Sequence, residues 1–132
     1  MDIAIVGATG NVGRKTLEVL EKKELPINNV YLVASSKSAG KKISFKGKNL
    51  EVFDLENFDF SKVKITFFAA GGKISEKFAE KAAQHCLVID NSSFYRMDPN
   101  VPLIVPQVNS NHLKNIKKNI IANPNCSTSQ LV

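Results

Sequence analysis

The sequence is poor in the residue types that build metal centres and disulfide scaffolds. Two cysteines and two histidines occur in 132 residues, and Cys86, Cys126, His85 and His112 show no paired metal-ligand spacing. No metal site is expected, and neither is a disulfide between the two thiols in a reducing compartment. No apolar run approaches the roughly 18 residues that a membrane-crossing helix needs. The amino terminus, "MDIAIVGATG", carries an early acid and no basic segment, so it does not read as a signal peptide. A cytoplasmic location is the resulting expectation. Basic residues outnumber acidic ones by 18 to 12, a net charge of +6. Even so, no arginine-rich stretch or aromatic-basic interleaving points to nucleic acid. The dispersed lysines read as a solvated face, or as a field that attracts small anions. No repeat, low-complexity tract or linker divides the chain, whose length suits one domain and not two.

What is present is an alternation of strands and helices in a chain that is 43% hydrophobic and 23% charged, ordinary globular values. "DIAIV", residues 2–6, is a short apolar run suited to a buried strand. A helical pattern follows over 12–23, with Val12, Leu17 and Leu20 expected on one face, and "VYLVA", 30–34, reads as a second strand. Ile43 and Phe45, then Leu50 and Val52, alternate about a turn expected at Gly47-Lys48, which predicts a hairpin. Residues 63–70 read as a strand. A helix is expected from a Ser75 cap through Gln84, with Phe78, Ala79, Ala82 and Ala83 inward. Strands over 87–90 and 120–123 flank an irregular stretch, 91–109, and a short helix over 111–117. A loop that long in a small domain is more often functional than idle. The fold class that follows is α/β: a Rossmann-like doubly wound, mostly parallel sheet with helices on both faces.

The turn after the first strand, "GATGNVG", spaces Gly7, Gly10 and Gly13 as G-x-x-G-x-x-G. In dinucleotide sites one glycine permits the tight turn, one lets backbone N–H groups approach a pyrophosphate, and one lets helix and strand pack closely. The helix amino terminus then faces the phosphates with its partial positive charge. Glycine spacing alone is a weak signal, but here it follows a strand and opens a helix, the required context. The candidate cofactor loop is Gly7, Thr9, Gly10, Asn11, Val12 and Gly13. An NAD site usually places an acid after the second strand for the ribose 2′-hydroxyl. This chain has "ASSKSAG", 34–40, with no acid. Ser35, Lys37 and Ser38 suit a 2′-phosphate, so NADP is favoured over NAD; the plainer alternative is a polar surface loop.

Cys126 follows the last strand in "NPNCSTSQLV", 123–132. The residues after it can open a helix, and a thiol at a helix amino terminus is stabilised as thiolate. It also follows a strand of a parallel sheet, on the edge where such folds bind ligands. Cys126 is therefore a candidate nucleophile, the alternative being a small buried cysteine. Cys86, between an alanine-rich helix and an apolar strand, reads as core.

Together these segments resemble the amino-terminal domain of the aspartate-β-semialdehyde dehydrogenase family. "GATGNVG" is similar to that family's cofactor loop and "ASSKSAGK" to its 2′-phosphate loop. "DNSSFYR", 90–96, is similar to its substrate-phosphate segment, and "VPLIVPQVN" and "PNCST" also match its motifs in order. The last of these, with "DNSS" upstream, is far more specific than the glycines. The resemblance implies NADPH-dependent reduction of L-aspartyl-4-phosphate to L-aspartate-4-semialdehyde with release of phosphate. That reaction serves lysine, methionine, threonine and diaminopimelate synthesis. The resemblance further implies that Cys126 is the nucleophile and forms a thioester. By the same resemblance Arg96 would hold the substrate phosphate with Asn91 assisting, and Ala70 and Gly71 would line the cofactor. A guanidinium fork suits a phosphate group. Lys37 stands where the family often has arginine, keeping the charge without the fork. Family members continue into a second domain with a histidine acid/base and a homodimer interface. Residues 1–132 are expected to be the NADP-binding domain alone, ending just after the nucleophile, with a frayed end and an apolar surface left for that domain. The related N-acetyl-γ-glutamyl-phosphate reductases typically have glycine before the cysteine and tyrosine after it, whereas Asn125 and Ser127 stand here. A reading from another class is a stand-alone nucleotide-binding module without catalysis.

Overall fold

The structure is a computed structural model that describes residues 1–131, the side chains of Cys126 and Thr128 excepted. Chain order is β1 (Asp2–Val6), α1 (Asn11–Lys22), β2 (Asn29–Ala34), β3 (Lys42–Phe45), β4 (Lys48–Asp54), β5 (Ile65–Phe68), α2 (Gly72–Ala83), β6 (Leu87–Asp90), α3 (Pro106–Asn109), β7 (Ile120–Ala122) and α4 (Cys126–Leu131). Seven strands form one sheet in the order β3-β4-β2-β1-β5-β6-β7. Every pairing is parallel except β3 with β4. From β1 the chain winds outward through β2 and β4. It then returns to the other side of β1 with β5 and winds the opposite way. That reversal makes the carboxyl ends of β1 and β5 the switch point where such sheets bind ligands.

Successive residues of a strand point to opposite faces. Ile3 and Ile5 of β1 pack with Leu17 and Leu20 of α1 and with Leu32 and Val52. Ala4 and Val6 pack on the other face with Phe68, Val88 and with Phe78, Ala79 and Ala82 of α2. The two helices thus cover opposite faces, as the doubly wound reading expects. Phe58, Phe60 and Phe68 extend the α2-side core, with ring centroids 5.1 Å and 6.2 Å apart in sequence. Burying one such ring contributes on the order of 2–3 kcal/mol.

Several expected local details are corrected. The hairpin turn is Lys46–Gly47, one residue earlier than expected, since Phe45 pairs with Lys48. Both turn residues have positive φ, 48° and 78°, as two-residue hairpin turns require. Ser75 does not cap α2, which starts at Gly72 with Gly71 as its N-cap. Ser75 lies inside the helix, fully buried, because its hydroxyl has a partner on β6. Val12 is not on the inward face of α1: it is 47% exposed, and Gly13 takes the buried position. The expected strand 63–70 is β5 alone, because residues 69–71 turn away at the sheet edge. The helix expected over 111–117 is a 3₁₀ segment, Ser110–Asn115, preceded by α3 with Pro106 at its first turn. Cys86 is core, as expected. Its Sγ lies 3.2 Å from the Thr66 hydroxyl and from the Ala82 carbonyl oxygen, and burial pushes its pKa up. His85 and His112 are exposed. Among the described residues no helix is long and apolar enough to cross a membrane.

Candidate functional site

Parallel pairing puts the carboxyl ends of β1, β2, β5, β6 and β7 on one edge of the sheet. The segments that carry the candidate site residues leave the sheet there. Residues 7–13 follow β1, 35–38 follow β2, 69–71 follow β5, 91–96 follow β6 and 123–126 follow β7.

The crevice at the switch point is formed by the glycine turn. Gly7 has φ 86°, and a Cβ on it would lie 2.7 Å from the Ala69 carbonyl oxygen and 2.9 Å from the Ala70 nitrogen. The turn after β1 therefore abuts the backbone leaving β5, an approach only glycine allows. A Cβ on Gly13 would collide with the Gly7 carbonyl and come within 2.8 Å of the Ala8 Cα. Helix α1 thus packs directly on the turn. Gly10 differs: its nearest neighbour would be the Gly7 carbonyl oxygen at 3.5 Å, with open space elsewhere. The three positions divide into close approach, close packing and an open face. Helix α1 has no side-chain cap and no acid in its first turn, and α2 likewise. Both helix amino termini carry N–H groups that a capping side chain would otherwise take. This cradle fits the pyrophosphate of a dinucleotide, and the helix ends add partial positive charge.

A cleft of about 390 Å³ opens here, lined by Val6, Gly7, Thr9, Gly10, Ala34, Ser35, Leu55, Ala69, Ala70 and Ile74. It gathers Gly7, Thr9, Gly10, Ser35 and Ala70 from the expected set. The rest of that set lies around it. Gly71 caps α2, and Gly13 is buried beneath the turn. Asn11 and Val12 stand exposed on the first turn of α1. Ser38 receives a 3.4 Å hydrogen bond from the Thr9 hydroxyl, which ties the loop after β2 to the glycine turn. Lys37 is exposed and forms no ion pair among the described residues. Sequence reasoning missed the apolar walls, Leu55 and Ile74, and it missed Arg14, whose Nε donates to the Thr9 carbonyl at 3.1 Å. The position of Leu55, just after a parallel strand, was the one available signal.

A second cluster sits beyond β6 and β7. Arg96 Nε donates to the Asn123 carbonyl at 2.9 Å, and Arg96 Nη2 donates to the Asn91 carbonyl at 3.2 Å. Asn123 Nδ2 donates to Asn91 Oδ1 at 2.6 Å. The guanidinium is held half-buried by two carbonyls, and its remaining N–H groups suit an anion. Val12, Asn91, Arg96, Asn123, Pro124, Asn125, Ser129 and Gln130 enclose a hollow of about 510 Å³. Cys126 begins α4, between the lining residues Asn125 and Ser129; its side chain lies outside the described residues. Val12 and Asn91 also line a smaller hollow against Phe67 and Ile89, toward β5 and β6. The exposed Val12, expected on one helix face with Leu17 and Leu20 and also in the cofactor loop, thus belongs to this edge.

A Rossmann-type dinucleotide-binding domain is the class that this fold and edge define. A model of the semialdehyde dehydrogenase NAD-binding domain matches residues 2–116, and the chain belongs to that family. The aspartate-semialdehyde dehydrogenase of Rickettsia bellii is 50% identical over 127 residues, 95% of this chain and 38% of the relative. Aspartate semialdehyde dehydrogenase II from Vibrio cholerae, solved in complex with ASA, is 48% identical with a TM-score of 0.95. The match covers 98% of this chain and 43% of that one. The Candida albicans enzyme solved with NADP is 30% identical with a TM-score of 0.80, covering 99% and 44%. The chain spans about two fifths of the length of the relatives it matches.

Proposed function

We propose that this chain is the cofactor-binding part of an NADPH-dependent aspartate-semialdehyde dehydrogenase that converts L-aspartyl-4-phosphate to L-aspartate-4-semialdehyde. The observation that supports it most is the meeting, at one sheet edge, of an uncapped glycine cradle and an arginine-centred pocket beside Cys126. The glycine turn and the first turn of α1 hold the pyrophosphate. Ser35, Lys37 and Ser38 hold the 2′-phosphate, with Ala70 and Gly71 along the cofactor. The Cys126 thiolate attacks the acyl-phosphate carbonyl carbon, the carbon–oxygen bond to phosphate breaks, and a thioester remains on Sγ. Arg96 and Asn91 bind the phosphate before and after it leaves. NADPH, when bound, supplies the hydride that reduces the thioester to the aldehyde and frees the thiolate.

In this reading further chain supplies a histidine acid/base and the contacts of a homodimer, and the enzyme works in the cytoplasm. It serves lysine, methionine, threonine and diaminopimelate synthesis. Residues 1–132 alone bind nucleotide without turnover. The test is NADPH formation from aspartate semialdehyde, NADP and phosphate by the longer enzyme. Activity that requires phosphate and vanishes in Cys126→Ala is the expected result. Phosphate-dependent activity that survives this substitution would remove the thioester mechanism.

A further inference from the structure

We infer that Asp90, with Ser75 and Ser92, positions Arg96 for anion binding. The carboxylate is fully buried and has no cation in contact with it among the described residues. It accepts three hydrogen bonds. The Ser75 hydroxyl donates to Oδ1 at 2.7 Å, the Ser92 amide donates to Oδ1 at 2.9 Å, and the Ser92 hydroxyl donates to Oδ2 at 2.8 Å. An acid buried among neutral donors is costly, and an apolar residue would serve a plain strand end better.

The geometry gives that cost a use. The Asp90 carbonyl accepts from the Asn123 amide at 2.8 Å, and the Asn91 amide donates to the Phe68 carbonyl at 2.9 Å. The peptide unit that follows Asp90 thus bonds the chain just after β7 on one side and β5 on the other. Ser92 Oγ also accepts from the Phe94 amide at 3.2 Å, and the Arg96 amide donates to the Ser93 carbonyl at 3.3 Å. These linked turns bring the chain round so that Arg96 reaches back to the carbonyls of Asn91 and Asn123. Ser75, from inside α2, fixes the carboxylate on which the turns are built. Asp90 does not touch the anion pocket; it acts through the loop.

The inference rests on the proposed anion role of Arg96, and the test separates the two. Wild type, Asp90→Asn and Ser92→Ala are each observed through the Arg96 Nε–H NMR signal and titrated with inorganic phosphate and NADPH. In both variants the Nε–H signal is expected to shift and exchange faster, and phosphate affinity to fall about tenfold, the effect of one hydrogen bond to a charged group. NADPH affinity stays within about twofold. An unchanged Nε–H signal in folded Ser92→Ala, or an equal loss of NADPH and phosphate binding, overturns the positioning role. A wild-type Nε–H signal that ignores phosphate instead overturns the anion reading of Arg96, and the variant shifts still decide the role of Asp90.

Discussion

The two ends of the binding edge are built differently. The crevice between β1, β2 and β5 takes its shape from backbone, from where a Cβ is missing, with Leu55 and Ile74 as its apolar walls. The pocket beyond β6 and β7 is made of side chains, with Arg96, Asn91 and Asn123 held by a few hydrogen bonds and a buried carboxylate beneath them. The first should stand or fall with the whole fold. The second should be adjustable one bond at a time.

Gly13→Ala should have the largest effect, because its Cβ meets backbone that cannot move without shifting β1. A cost of about 3 kcal/mol, a Tm fall of roughly 10 °C and loss of NADPH binding are expected, read by thermal denaturation and titration. A Tm within about 2 °C of wild type would show the crevice to be softer than the comparison requires.

Arg96→Leu comes next and should separate the two ends. Phosphate affinity is expected to fall about 10- to 100-fold, with NADPH affinity unchanged. Calorimetric titration of both ligands checks this.

Tyr95 gives the pocket end a pH dependence. It is buried beside Phe94, ring centroids 4.8 Å apart. Burial first, then the carboxylates of Glu80, Asp90, Asp98 and Glu76, push its pKa up to about 12, against an ordinary value near 10. The folded state therefore favours the neutral phenol. That contribution is complete below about pH 10 and is lost as pH rises toward about 12. Tyr95→Phe keeps the ring and should flatten the fall in stability over this window in denaturant titrations. An identical pH profile in the variant would mean that the loop end does not titrate as described.

Lys37→Ala should have the smallest effect. An exposed lysine facing a phosphate is worth up to about 1 kcal/mol, so NADPH affinity should fall at most about fivefold, with NADH unaffected. Parallel titrations with both nucleotides read it.

The same contrast explains what the sequence made legible. Glycine spacing, strand and helix are local patterns, so the glycine turn and the doubly wound sheet were legible in the sequence. The absence of an acid in "ASSKSAG" raised the 2′-phosphate expectation, which rests on the chemistry of Ser35, Lys37 and Ser38. The pocket end rests on long-range contacts. Arg96 meets Asn123 across 27 positions, and Ser75 meets Asp90 across 15. Neither pairing leaves a local signature, so only the family resemblance pointed to Arg96, and Ser75 was mistaken for a cap. Val12 was misread because helical periodicity does not show that Gly13 is the residue pressed against the turn. Lys46 was missed at the hairpin because lysine gives no sign of adopting positive φ.

The central claim is that the open face at Gly10 receives the cofactor. Titrating wild type and Gly10→Ala with NADPH, alongside their melting temperatures, tests it most directly. Gly10 has extended backbone, φ −81° and ψ 173°, and room for a Cβ, so the variant should melt within a few degrees of wild type. Its NADPH affinity should nevertheless fall by tenfold or more, about 1.4 kcal/mol. Equal affinity in wild type and variant, with both folded, would contradict the account.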